Sequence, residues 1–139
     1  MDFVAYNEIM ICKKPIRNIL TAGTGIGYEF RIKYPSYRGC FLSCIEDLYF
    51  EVDGARIPET EVFFCLNDKQ FTLGELPDLF REYWFIRDPA TIRVLKPGGL
   101  SRGEHTVHVY MKHRVPYTGY FGSYLVLESD RMETLFCEG

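Results

Sequence analysis

The stretch Thr106-Val-His-Val-Tyr-Met-Lys-His-Arg-Val115 alternates apolar and polar residues. Val107, Val109, Met111 and Val115 fall on one side, with Thr106, His108, Tyr110, Lys112 and Arg114 on the other. A period of two belongs to a half-buried β-strand, because successive side chains leave a strand on opposite faces. The same period recurs at 28–34, where Tyr28, Phe30, Ile32 and Tyr34 oppose Glu29, Arg31 and Lys33. It returns at 48–53, with Leu48, Phe50 and Val52 on one face, and at 91–96, with Ile92 and Val94. Half-buried strands of this kind build antiparallel sheets.

Turn-forming residues separate the strands, at 22–27 (AGTGIG), 53–58 (DGARIP), 67–68 (ND) and 96–104 (KPGGLSRGE). One helix is expected, over 73–80, where Thr72 and Glu75 have the spacing of a capping box and Pro77 sits in the first turns. The expected fold is all-β: a single-domain antiparallel β-sandwich over residues 1–139 with one short helix.

The chain has 139 residues and a net charge of −3. The charge is uneven, with eleven acidic against four basic residues between Glu46 and Asp88. The chain has no Lys/Arg-rich run, so a nucleic-acid partner is not expected. Eleven Phe, ten Tyr and one Trp are more rings than a core of this size easily holds, so some should lie on the surface. Five cysteines, at 12, 40, 44, 65 and 137, occur without a signal peptide or a membrane-spanning apolar run. Reduced thiols in a cytoplasmic protein are the expectation.

All three histidines lie between 105 and 113. On an extended strand His105 and His113 stand about 27 Å apart, and His108 faces the opposite way about 10 Å from His105. Ligands so spaced cannot share one ion, so no metal site is expected in this chain. An exposed His108 and two strand-end histidines are expected instead. Cys40 and Cys44 lack the second pair that a structural zinc site needs and read as two packed thiols. Gly23–Gly27 (GTGIG) precedes a strand rather than a helix, so it is a loose hairpin turn and not a dinucleotide loop. Glu46 and Asp47 are adjacent, point to opposite faces, and make a poor catalytic pair. No catalytic residue is assigned.

Two loops remain, YPSYRG at 34–39 and RVPYTGYFG at 114–122. Tyrosine and arginine combine flat apolar area with a polar tip, which suits interfaces and pocket rims. Tyr34, Pro35, Tyr37, Arg38, Tyr117, Tyr120 and Phe121 are therefore the candidate partner-interface or pocket-lining residues.

Three segments, RIKYPSYRGCFLSCIEDLYFEVDGARIP, FTLGELPDLFREYWF and ATIRVLKPGGLSRGEHTVHVYMKHRVPY, resemble the small (β) subunit of bacterial C-glycoside deglycosidases. The similarity runs from about Gly27 to Tyr120. It implies a hetero-oligomer of αβ units, with a larger α subunit built as a sugar-isomerase-like barrel. That subunit is expected to hold a divalent metal, manganese, and the catalytic base. The implied reaction is cleavage of the carbon–carbon bond between a 3-keto sugar and a flavonoid-type aglycone, a lyase reaction in which this chain is the non-catalytic subunit. Two rivals follow from the residues alone: a stand-alone carbohydrate- or aglycone-binding sandwich, and a metalloenzyme built on His105, His108 or His113.

Overall fold

The structure, a computed structural model, describes residues 4–36, 38–115 and 125–139, and of Val4 and Ala5 the backbone only. Among the described residues eleven strands alternate with short 3-10 turns. They are β1 (Arg17–Thr21), β2 (Thr24–Ile32), β3 (Cys40–Phe41), β4 (Ile45–Val52), β5 (Ala55–Arg56) and β6 (Val62–Leu66). β7 (Lys69–Thr72), β8 (Tyr83–Trp84), β9 (Ala90–Leu95), β10 (Gly103–Val115) and β11 (Leu125–Cys137) follow. One sheet has the order β1-β2-β9-β6-β7, a second β11-β10-β4-β5, and β3 pairs with β8 as a small ribbon. Every pairing between these strands is antiparallel, as the alternation requires.

The two larger sheets face each other across one apolar cluster. Tyr28, Phe30 and Ile32 of β2, Ile92 and Val94 of β9, and Phe64 of β6 meet Phe50 of β4 and Val107, Val109 and Met111 of β10. Phe30 and Phe50 join the layers through an edge-to-face contact, with centroids 5.7 Å apart and planes at 73°. The surplus of rings does reach the surface: Phe41, Phe80, Phe85 and Phe136 are all exposed.

Hairpin turns carry the strand order. In the β1–β2 turn both Ala22 and Gly23 have positive φ, and so do Asp53 and Gly54 before β5 and Asn67 and Asp68 before β7. Two successive positive φ angles give the I′ geometry, whose twist matches that of the strands it joins. The glycine run at 23–27 is therefore not a loose turn. Only Gly23 turns; Gly25 and Gly27 lie within β2 and pair with Leu20 and Ile19. A Cβ on Gly27 would lie 2.1 Å from the Val94 carbonyl oxygen, so close strand contact demands glycine there.

The expected helix at 73–80 is a 3-10 turn, Leu73–Asp78. Its capping box is present: the Thr72 backbone N–H donates to Glu75 Oε1 at 3.0 Å. Pro77 lies inside it and lacks an N–H, so an α-helical ladder cannot run through that position.

Candidate functional site

Tyr34 and His113 meet where the 34–39 loop begins and β10 nears its end. Tyr34 ends the inward row of β2 and opens the 34–39 loop; His113 stands two residues before the end of β10. The Tyr34 hydroxyl is 2.9 Å from His113 Nδ1, and His113 Nε2 is 3.5 Å from the Ser129 hydroxyl on β11. Both rings are buried, His113 completely. Trp84 of β8 packs on the other side of Tyr34, with centroids 5.3 Å apart. With no ionic partner in that setting, burial drives the His113 pKa down to about 4, so the ring is neutral. A neutral ring whose Nδ1 accepts from Tyr34 carries its proton on Nε2, toward Ser129.

The candidate residues divide. Tyr34 and Pro35 are buried rather than placed on a rim, because the inward alternation of β2 continues through Tyr34 into the core. Arg38 is exposed. Tyr37, Tyr117, Tyr120 and Phe121 lie outside the described residues.

The loop after Tyr34 runs back against β8, where a Cβ on Gly39 would sit 2.3 Å from the Trp84 carbonyl oxygen. β8 alternates: Trp84 points inward, fully buried against Tyr34 and Phe64, while its neighbours point out. Phe41 of β3 contacts Tyr83 edge-on at 5.1 Å, and Tyr83 contacts Phe85 at 4.8 Å. Phe41 and Phe85 are 43% and 57% exposed, so three rings form an aromatic corner beside the 34–39 loop. Sequence reading missed this corner because a two-residue ribbon is too short to show a period.

The histidines do not converge. His105 and His113 share the inward face of β10, and His108 lies on the outward face. His105 Nδ1 donates to Asp53 Oδ2 at 2.6 Å and Nε2 donates to the Ser101 carbonyl at 2.8 Å. His108 is not exposed as expected. It is clasped between Glu51 Oε2, 3.1 Å from Nδ1, and the Asp130 carboxylate at Nε2. An imidazole with acceptors at both nitrogens is held as the cation and has no lone pair for a metal. For His105 the Asp53 bond leads in raising the pKa; for His108 the Asp130 and Glu51 bonds outweigh a larger single effect of burial, which opposes them. Among the described residues no three His, Cys, Asp or Glu side chains form a metal-holding group.

The outward face around His108 is otherwise aromatic and acidic. Tyr49 and Tyr110 stack at 4.9 Å, Arg56 lies 4.2 Å over the Tyr49 ring, and the Tyr110 hydroxyl donates to Glu128 at 2.8 Å. A groove of 280 Å³ beside it is lined by Asp47, Tyr49, Arg56 and Leu76 among others. Glu46, for its part, faces Arg114 at 3.6 Å, while Asp47 stands opposite Lys112 in the β4–β10 register. Both acids line the groove beside Tyr49, and neither lies against a histidine.

These features define an antiparallel β-sandwich with an aromatic corner beside the 34–39 loop and a buried Tyr34–His113 pair. Residues 6–117 match the family model of the C-glycoside deglycosidase beta subunit, and the chain belongs to that family. A protein of Eubacterium cellulosolvens named C-glycoside deglycosidase beta subunit is 37% identical over 90 residues, 64% of this chain and 61% of that one. A Microbacterium protein named 3′-dehydrocarminate deglycosidase beta subunit is 37% identical over 92 residues, 66% of this chain and 68% of that one. An Arthrobacter globiformis protein with the first of these names is 34% identical over 86 residues, 62% of this chain and 66% of its own. The chain thus spans between about three fifths and two thirds of the length of these relatives. No helix among the described residues is long and apolar enough to cross a membrane.

Proposed function

We propose that this chain is the non-catalytic β subunit of a heteromeric, cytoplasmic C-glycoside deglycosidase. The complex cleaves the carbon–carbon bond between a 3-keto sugar and a flavonoid-type aglycone. The family match over residues 6–117 carries this reading. The Microbacterium relative, whose name specifies 3′-dehydrocarminate, supports an oxidised sugar as substrate. A ketone at C3 acidifies the C2 proton, and removal of that proton prepares the aglycone to leave. The divalent metal, manganese, that polarises the ketone and the base that takes the proton belong in this proposal to a larger α subunit with a sugar-isomerase-like barrel. The described residues of this chain do not fit such a metal: two of its histidines are clamped as cations and the third is a buried neutral ring.

The chain's own part is to bind that subunit and to help exclude water from the reacting sugar. Its contact surface in this proposal includes the aromatic corner of Phe41, Tyr83 and Phe85 with Arg38; Tyr37, Tyr117, Tyr120 and Phe121, outside the described residues, are proposed as contact residues on their sequence pattern alone. An obligate subunit contact buries more than about 1,600 Å² in total. Gentle purification of the native protein, with identification of what accompanies it, tests the proposal. A larger metal-containing polypeptide in equal amount is the expected companion; a chain that purifies as a stable, unaccompanied monomer contradicts it.

A further inference from the structure

At the end of the sandwich away from Tyr34, a cleft of 420 Å³ opens between the two larger sheets. The β4–β5 turn forms one wall, and the segment leading out of β9 through Leu100 forms the other. Val52, Val94 and Leu100, all buried, make an apolar floor, and Tyr28 of β2 stands among them. Tyr28 is 2% exposed, yet its hydroxyl makes no hydrogen bond to any described residue. Among those residues no fully enclosed side-chain nitrogen or oxygen lacks a partner, so this hydroxyl is not sealed in the core. It opens into the cleft that Tyr28 lines. A phenol buried in this way is costly unless something bound in the cleft completes it.

Four charged side chains surround the hydroxyl. Asp53 and Glu61 lie close enough to join burial in raising the Tyr28 pKa, so the phenol keeps its proton and can donate. Asp53 is fixed by His105 and by the Thr106 backbone N–H, which donates to Oδ1 at 2.9 Å. Its side chain is still half-exposed, and two carboxylate oxygens have about four acceptor positions, so acceptor capacity is left over. Arg56 rests over the Tyr49 ring. Its N–H groups, the Lys96 ammonium and the Glu61 carboxylate make no hydrogen bond or ion pair with a described residue.

We propose that this cleft binds a neutral cyclic polyol of monosaccharide size, with the Tyr28 hydroxyl as its central donor. Two carboxylates and two cations cancel, so the lining favours no net charge on the ligand. Donors and acceptors stand together around one apolar floor, which matches a pyranose, with hydroxyls at its rim and C–H groups on its face. The volume falls within the about 300–1,000 Å³ of small-molecule pockets. The site does not depend on the subunit reading. It lies roughly 20 Å along the chain from Tyr34, where the surface proposed to meet the larger subunit begins.

Methyl β-D-glucopyranoside is titrated into the full chain as it purifies, with any accompanying subunit retained, and followed by calorimetry and saturation-transfer NMR. Saturable binding with a Kd of about 1 mM is expected, as for a small ligand held by a few hydrogen bonds. Tyr28→Phe should weaken it about tenfold. Its thermal midpoint should stay at the wild-type value, because the lost hydroxyl has no partner among the described residues. Glu61→Gln, at the exposed rim, should also weaken binding, and it decides the matter should Tyr28→Phe not fold. Glucoside held by a companion subunit is common to all three proteins, so the difference between them is the measure. Inorganic phosphate and n-butylammonium at equal concentration should leave the glucoside in place. Absence of saturable binding overturns the proposal, as does wild-type affinity in Tyr28→Phe or displacement by either ion.

Discussion

The Tyr34 hydroxyl is hydrogen-bonded to His113 Nδ1 at 2.9 Å, between residues 79 positions apart in the chain, at a fully buried point between the sheets. Tyr34→Phe removes the donor and leaves a buried ring nitrogen without it. An unfulfilled buried polar group costs about 1–3 kcal/mol. Urea unfolding of Tyr34→Phe should show a loss in that range, whereas Arg38→Ala, on the exposed part of the same loop, should lie within about 0.5 kcal/mol of wild type.

The three histidines should titrate in opposite senses. His113 has a folded pKa of about 4 against an ordinary 6.5, so its contribution is fully present above the unfolded value and is lost as pH falls from 6.5 toward 4. That loss is about 3 kcal/mol when integrated over the interval. His105 and His108 are raised, so their smaller contributions are present below 6.5 and vanish as pH rises through their folded values. A proton NMR titration should place two imidazoles above 6.5 and one well below it. Three ordinary values would contradict the geometry described for β10.

Gly27 is fixed by the close approach of β2 to β9. Alanine there forces the strands apart, since its Cβ would lie 2.1 Å from the Val94 oxygen. Gly27→Ala should lower the unfolding free energy by about 2 kcal/mol or more, as other strained core substitutions do. Gly23→Ala meets no neighbouring atom and carries only the penalty of its positive φ, about 1 kcal/mol. Thermal unfolding of the two variants side by side separates steric from conformational cost.

The aromatic corner gives a surface prediction. Phe41→Ser and Phe85→Ser replace exposed rings, so neither should change the unfolding midpoint appreciably. Together they should weaken binding to the larger subunit by about tenfold or more, the effect of removing aromatic anchors from an interface. Titration calorimetry of the double variant against that subunit reads this directly; unchanged affinity moves the contact to another face.

Strands were legible in the sequence because burial writes itself as a period of two, and Tyr28–Tyr34, Leu48–Val52 and Val107–Val115 all hold to it. The parity of β10 also places His105 and His113 with the apolar row. What they meet there was not legible: Asp53 and Tyr34 lie 52 and 79 residues away, and only the sheet register brings them together. The clasp on His108 has the same origin, since Glu51 and Asp130 belong to the two strands that flank β10. Tyr34 shows the opposite failing. Its place in a Tyr/Pro/Gly turn suggested a rim, yet the inward alternation of β2 outweighs the loop chemistry and carries it into the core. The short aromatic ribbon of Phe41 and Tyr83 has no period to read at all.

The central claim is that this chain lends its surface to a reaction whose metal and base sit on another polypeptide. Turnover of a 3-keto C-glycoside by the separated chain, by the separated larger subunit and by their mixture tests it most directly. The expected result is no turnover by this chain at any metal concentration, with full activity when the two are combined. Release of aglycone by this chain alone would contradict it.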